Sequence, residues 1–386
     1  MRIRKLVFKN MMRHKLRSLL TVLGIAIAVM AFGLLRTVVN AWYAGVDASS
    51  VNRLITRHAV SFIFTLPLSY RDQIARVPGV ANVTFANWFQ GVYIDPDQFF
   101  ARLAVDADTY LDAYPEFIVE PQHLETFKKE RSACIIGEKI AQTYNLKLGD
   151  IMPVEGDIYP GSYEFVVRAI YKPREKRTDA TQMLFHWKYL DERIRQSQPG
   201  REGKVGWYIV TISDPTKAAQ VSEAIDDLFA NSRAETKSET EAAFQQSFVS
   251  MSGAIITAMN FISFVIIGII LLVLGNTMVM TARERMREYA VLKTLGFTRG
   301  HIIGLIAGES LLISIIGGAV GLFFTFPTTE AFAAALPSGW FPVFEVAPTT
   351  IVLSASSAVL VGVLAALFPI WRATSMKIVD GLRQVG

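Results

Sequence analysis

The sequence predicts a membrane α-helical fold of four transmembrane helices, with an α+β extracytoplasmic domain inserted between helices 1 and 2. Three observations carry this. Apolar residues make up 51% of the 386 residues, and they concentrate near the N-terminus and in the last 145. Residues 242–282 form a run of 41 without a single charge. Between these greasy regions, residues 44–246 have the mixed composition of a globular domain.

Four stretches reach the roughly 20 apolar residues that a membrane helix needs. They are 18–35, continuing past Arg36 to about Trp42, then 261–280, 301–326 and 349–371. The first has an apolar core longer than that of a signal peptide, and no small-x-small cleavage site follows it. It reads as a retained signal anchor.

Orientation follows from Lys and Arg in the short flanks. Residues 1–17 carry Arg2, Arg4, Lys5, Lys9, Arg13, Lys15 and Arg17 and no acid. The segment between spans two and three carries Arg283, Arg285, Arg287, Lys293 and Arg299, and the tail carries Arg372, Lys377 and Arg383. The loop between spans three and four carries neither Lys nor Arg. Both termini and segment 281–300 are therefore expected in the cytoplasm, and the insert outside. The net charge of +5 is explained by these flanks, so nucleic acid is not an expected partner, whereas the lipid bilayer is.

The uncharged run would reach about 60 Å as one helix, twice the hydrocarbon thickness. The expectation is a stalk that continues from span two into the external domain. A break near Gly253 is the alternative.

Within the insert, "SYRDQIARV", "PG" and "VANVTFANW" read as helix, tight turn and strand. "SACIIGEKIAQTYNLKLGDIMPVEG" reads as strand, helix, Gly-Asp turn and strand, and "YEFVVRAIY" alternates as a strand does. "GWYIVTISDPTKAAQVSEAIDDLFANS" gives a strand and a helix, with Asp214 as N-cap and Pro215 at its first position. The two ends resemble each other in element type, so a layer built from both ends and a second lobe from the middle are expected.

No catalytic constellation appears. His14, His58, His123, His186 and His301 are scattered, without metal-ligand spacing. Asp95, Asp97, Asp106 and Asp108 read as a solvated acidic loop, and Cys134 as a buried structural thiol. "PGREGKVG" lacks the spacing of a phosphate loop.

The segment "TARERMREYAVLKTLGF" is a dense charged helix between two membrane-grade stretches. Met286, Tyr289, Ala290, Leu292 and Leu295 recur at helical steps, Glu284–Arg287 and Arg285–Glu288 are spaced to pair, and Gly296 suits a left-handed C-cap. Three readings fit: a helix on the lipid surface, a topological loop, or a docking helix for a cytoplasmic partner. Inside the spans, Glu309 is the one acid, and a structural pairing with a basic residue near the charged helix is favoured over a proton or substrate role. Arg36 is placed to snorkel to headgroups. Gly300, Gly304 and Gly308, and then Gly317 and Gly321, repeat at four-residue spacing and read as helix packing, within the chain or across a dimer.

The run "NTMVMTARERMREYAVLKTLGFTRGHIIGLIAGESLLISIIGGAVG" resembles the signature of the MacB/FtsX-type permease family: Asn-x-Met beginning at Asn276, Arg-x-Arg-Glu, a Leu-Gly pair, a Glu in span three, and Gly-Gly-x-x-Gly. "QIARVPGVANV", "IIGEKIAQTYNLKLGD" and "AALFPIWRATSMKIVDGLR" resemble other parts of the same family. The resemblance implies a permease subunit of an ABC system in the bacterial inner membrane, itself non-catalytic. It implies two protomers, expected as a homodimer, together with ATPase subunits on separate chains that hold the ATP and Mg. A periplasmic adaptor or membrane-fusion protein is a further implied partner. No cofactor is expected in this chain.

By position, the family's coupling helix falls on Arg283, Glu284, Arg285, Arg287, Glu288, Tyr289, Leu292, Lys293, Leu295 and Gly296. The implied function is transmission of ATP-driven motion to the external domain, exporting or extracting a cargo. An FtsX-like activation of a periplasmic cell-wall enzyme is the alternative. The expected division is a basic segment 1–17, helix 1 at 18–43, the two-lobed domain 44–246, stalk and helix 2 at 247–281, and the coupling helix at 282–300. Helix 3 at 301–326, a periplasmic loop at 327–348, helix 4 at 349–371 and a cytoplasmic tail at 372–386 complete it.

Overall fold

A computed structural model describes residues 7, 11–96, 99–336, 341 and 343–376. Arg2, Arg4, Lys5, Lys9, Asp97, Lys377 and Arg383 lie outside the described residues. The chain divides into two compact units. One comprises Met1–Asn40, Gly253–Ala333 and Phe344–Gly386; the other comprises Ala41–Ser252 and Ala334–Val343.

The first unit is built from four helices long and apolar enough to cross a membrane: Lys15–Ala48 after a 3-10 turn at Met12–His14, then Gly253–Glu284, Arg299–Ala335 and Pro348–Ser375. Their inward faces share one core that includes Ile25, Val29, Leu274, Met278, Ile306, Ile313, Val361 and Ala365. Small and hydroxyl residues let the helices approach. Ser310 Oγ donates to the carbonyl of Gly362 at 2.7 Å, and Ser314 Oγ donates to that of Ala358. Asn40 Nδ2 donates to Thr350 Oγ1 at 2.8 Å. Outward-facing Phe261, Leu272, Phe323, Val352 and Trp371 are exposed, as a lipid-covered surface requires.

Three expectations are corrected. The helix of span two does not run on as a stalk. It begins at Gly253, after a separate helix Glu241–Met251 and a one-residue turn at Ser252. Ser252 and Gly253 are both poorer helix formers than their neighbours, which localises the break. The helix of span three does not stop at Phe326 but includes Pro327 and reaches Ala335. Proline costs one hydrogen bond there, and the alanine-rich turns that follow favour helix. Arg36 does not reach outward; its Nη1 donates to Asn260 Oδ1 on span two at 2.7 Å.

In the second unit, the helix Tyr70–Ile74, the turn with Gly79 at φ +95° and strand β3 (Val80–Trp88) form in the expected order. So do β6 (Ala133–Gly137), the helix Glu138–Thr143, Gly149 at φ +95° and β7 (Ile151–Gly156). Asp214 caps a 3-10 turn at Pro215–Lys217, accepting from the Thr216 amide at 3.0 Å, before the helix Ala218–Leu228.

The chain ends do converge. β1 (Arg53–His58) pairs with both β11 (Trp207–Ile212) and β12 (Thr236–Thr240). The middle of the insert, however, extends the same sheet. Among the described residues that sheet has ten strands, in the order β12-β1-β11-β3-β4-β9-β6-β8-β5 with β7 on β8. The remaining members are β4 (Ala101–Val105), β5 (Phe117–Ile118), β8 (Gly161–Pro173) and β9 (Gln182–His186). The two halves join through the parallel pair β4–β9. Apolar residues on both faces allow this continuity. Along β8, Tyr163, Phe165 and Val167 enter one core, and Ala169 and Tyr171 enter the other. The register shift against β6 between Cys134 and Ile135 accounts for the change of face. Cys134 is fully buried, and burial pushes its thiol pKa up.

Candidate functional site

The charged segment between spans two and three is a short helix, Met286–Thr294. It is set off from span two at Arg285, whose φ of −102° and ψ of 8° leave helical geometry. Its end is a Schellman motif. Phe297 N–H donates to the Leu292 carbonyl at 3.0 Å and Gly296 N–H to that of Lys293 at 3.2 Å. Gly296 sits at φ +88°, a conformation open to glycine at little cost.

One face anchors the helix. Met286 and Tyr289 are buried in the core of the spanning helices, and Ala290 is fully buried as well. Burial pushes the Tyr289 hydroxyl up to about 12. Arg285 is also buried, and its Nη1 lies 2.8 Å from Glu309 Oε2 on span three. The expected structural partner of Glu309 is thus Arg285. Lys293 Nζ reaches the carbonyls of Ala373, Thr374 and Met376 at 2.9, 3.2 and 2.9 Å, and so caps the end of span four. Partial burial lowers its pKa.

The other face is exposed: Arg283, Glu284, Arg287, Glu288, Val291 and Leu295, with Phe297 following. Its glutamates do not pair along the helix as the spacing suggests. Glu284 makes a two-pronged contact with Arg17, both distances 2.8 Å, and Glu288 pairs with Arg13. Sequence reasoning placed Arg13 and Arg17 only in the topology argument. The signal was present: two arginines four residues apart match two glutamates four residues apart. Val291 lies five residues after Met286 and two after Tyr289, off the three- and four-residue steps from the buried face, and is exposed. A hollow of about 510 Å³ lies beside this face, lined in part by Arg287, Val291, Leu292 and Leu305.

The remaining expected residues divide. A Cβ at Gly317 would lie 2.8 Å from Ile25, and one at Gly321 would lie 2.4 Å from the Ala26 carbonyl, so these seat span one on span three. Gly308 lies against Val7, while Gly304 has nothing within 4 Å. Asn276 is exposed on span two. Among the described residues no group of His, Cys, Asp or Glu is arranged to hold a metal.

Residues 18–228 match the family model of the MacB-like periplasmic core domain, and residues 260–378 match that of the FtsX-like permease C-terminal. The chain belongs to the MacB/FtsX-type permease family. It is 24% identical over 345 residues to an ABC transporter permease of Methanocaldococcus jannaschii, covering 82% of this chain and 80% of that one. It is 28% identical over 180 residues to the macrolide export ATP-binding/permease protein MacB of Nitrobacter winogradskyi, covering 45% of this chain and 27% of that protein. Among solved structures, the periplasmic region of MacB from Actinobacillus actinomycetemcomitans matches with a TM-score of 0.36 at 12% identity, over 53% of this chain and 95% of that one. The extracellular domain of the transporter YknZ from Gram-positive bacteria matches with a TM-score of 0.34 at 12% identity, over 49% and 100%. The permease is a multi-pass membrane protein, and membership of an ABC permease family implies an ATPase partner.

Proposed function

We propose that this permease is the membrane subunit of a MacB-type transporter. An ATPase subunit, carrying the ATP and Mg, docks on the helix Met286–Thr294 and drives motion of the inserted domain that exports or extracts a cargo. One observation supports the reading most. The short helix is fixed on its inner side by Arg285–Glu309 and by Lys293 on the end of span four, while Arg287, Val291 and Leu295 stay exposed. A helix anchored this way can pass a push from outside to two spanning helices without deforming. In this reading both termini are cytoplasmic, the bilayer is the bacterial inner membrane, the permease acts as a homodimer, and an adaptor meets the inserted domain in the periplasm. The FtsX-like C-terminal match favours a second reading, in which the same motion activates a periplasmic cell-wall enzyme.

The test is reconstitution in lipid with the co-encoded ATPase. Val291→Glu/Leu295→Glu alters only the exposed side. Loss of both co-purification and stimulated hydrolysis is expected, with the thermal unfolding of the permease unchanged. Normal stimulation by this variant would overturn the docking assignment. Glu288 and Leu292 are poorer choices, because Glu288 is engaged by Arg13 and Leu292 packs against the core of the spanning helices.

A further inference from the structure

Three buried side-chain atoms without a hydrogen-bond partner among the described residues belong to one place in the second unit: Nε and Nη2 of Arg102 and the hydroxyl of Tyr144. Arg102 lies on β4, where alternation along the strand sets it on the same face as Phe100 and Ala104, inside one core of the sheet. Phe100 links the two side chains. The guanidinium stands 3.8 Å from the centroid of its ring, and the ring of Tyr144 lies 5.9 Å from the same ring. The two groups also interact electrostatically.

The free atoms have a specific chemistry. Nη1 is occupied by the carbonyls of Gly91 and Phe100. Nε–H and Nη2–H remain, and these point the same way from the planar guanidinium, as the parallel fork that receives both oxygens of a carboxylate. The Tyr144 hydroxyl can donate as well. Buried polar atoms are ordinarily satisfied, and a buried guanidinium is ordinarily paired. A water molecule could take these bonds but would leave the charge uncompensated. Burial lowers the Arg102 pKa only to about 10, so that charge is present at neutral pH.

The surroundings set the size of what can bind. Tyr93, Phe100 and Tyr144 pack ring against ring, with centroids 5.1–6.3 Å apart. Tyr144 is half-buried although its oxygen is buried, so the phenol ring separates the free donors from solvent. Asp95 is an internal rival for the fork: it is exposed, and its charge reaches Tyr144.

We propose that Arg102 and Tyr144 form a binding site for a short-chain carboxylate of the size of formate or acetate. Arg102 Nε and Nη2 donate to its two oxygens, Tyr144 donates a third hydrogen bond, and the carbon end packs against the rings of Tyr93 and Phe100.

The test is calorimetric titration and thermal unfolding of the full chain in detergent with sodium acetate at neutral pH. Ionic strength is held constant with sodium gluconate, a carboxylate with a bulkier chain. Saturable binding and a matching rise of the unfolding midpoint are expected, as for any ligand taken up by the folded state alone. Arg102→Met should abolish both. Tyr144→Phe should weaken binding by about tenfold, the worth of one hydrogen bond to a charged group. Each variant removes buried atoms that lack partners, so without acetate neither should unfold below the wild-type temperature. No saturable binding, or wild-type affinity in either variant, would overturn the proposal. Two further outcomes would also overturn it. Sodium chloride acting as strongly as acetate would mean that charge alone is recognised. Binding that emerges only in Asp95→Asn would mean that the chain's own carboxylate fills the fork. ATPase stimulation is read separately, so failure here leaves the docking helix untouched.

Discussion

Arg285 and Glu309 form an ion pair with both side chains about 95% buried, Nη1 to Oε2 at 2.8 Å, joining the start of the short helix to span three. Neither charge is accessible to a docking partner. Their contribution is the position of the helix. Removing one member leaves the other buried and uncompensated, a loss of about 3–5 kcal/mol. Glu309→Leu should therefore lower the thermal unfolding midpoint in detergent and also abolish ATPase stimulation. Arg285→Met/Glu309→Leu should recover most of the midpoint, because an apolar pair of similar volume often replaces a buried ion pair at little cost. Failure of the double variant to recover would mean that Arg285 is needed for another contact.

The glycines of span three separate into two groups by what surrounds them. At Gly321 a Cβ would meet backbone, the Ala26 carbonyl at 2.4 Å, which cannot swing aside. Gly321→Ala should cost about 1–3 kcal/mol by overpacking. Gly304→Ala meets nothing within 4 Å and should leave the midpoint unchanged or slightly raised, since alanine is the better helix former. Both variants are read by thermal unfolding in detergent. A dimer measurement on Gly304→Ala adds a second readout: dissociation there would place Gly304 at the contact between protomers.

The spans and the inserted domain were legible because each has a strong periodic or compositional signal. A 41-residue uncharged run and the alternation along β8 leave few alternatives. The break at Ser252 was less legible, since one serine and one glycine in an apolar run give only a weak propensity signal. The joining of both halves into one sheet depends on β4 pairing with β9, strands about 80 residues apart in the chain. In the short helix, periodicity groups Met286, Tyr289, Ala290, Leu292 and Leu295, of which the first three are buried, Leu292 is half-buried and Leu295 is exposed. It could not assign the charges, because Glu284 and Glu288 found partners about 270 residues away, at Arg17 and Arg13.

Burial lowers the pKa of His186, with the Phe127 carbonyl and Asp108 opposing this and Lys188 and Arg131 adding to it. The unfolded chain therefore takes up this proton first as pH falls. The stability that His186 contributes is fully present above about pH 6.5 and is lost as pH drops through the lower folded value. The unfolding midpoint of wild type should fall more between pH 7.5 and 5 than that of His186→Gln, which cannot titrate there. An equal fall in both proteins would remove His186 as the cause.

Arg102 is 1% exposed, and among the described residues its guanidinium is only partly satisfied. Nη1 donates to the carbonyls of Gly91 at 2.8 Å and Phe100 at 3.3 Å, while Nε and Nη2 have no partner among the described residues. The group lies 3.8 Å from the centroid of the Phe100 ring, which offsets part of the cost. Burial lowers its pKa to about 10, so it is still charged at neutral pH. A folded pKa below the unfolded one means that the protonated group opposes folding throughout the neutral range, and the penalty is relieved only above about pH 10. Arg102→Met removes that charge. It also leaves two carbonyls without their donor, about 1 kcal/mol each. A buried unpaired charge costs several kcal/mol, so the balance favours the variant. The unfolding midpoint of Arg102→Met should rise by roughly 2–4 °C per kcal/mol gained. The gain should be the same at pH 6 and pH 8. Arg102→Lys, which keeps a charge but loses the planar fork and its stacking on Phe100, should fall below wild type. A lower midpoint for Arg102→Met would mean that the two carbonyl bonds and the ring contact outweigh the buried charge.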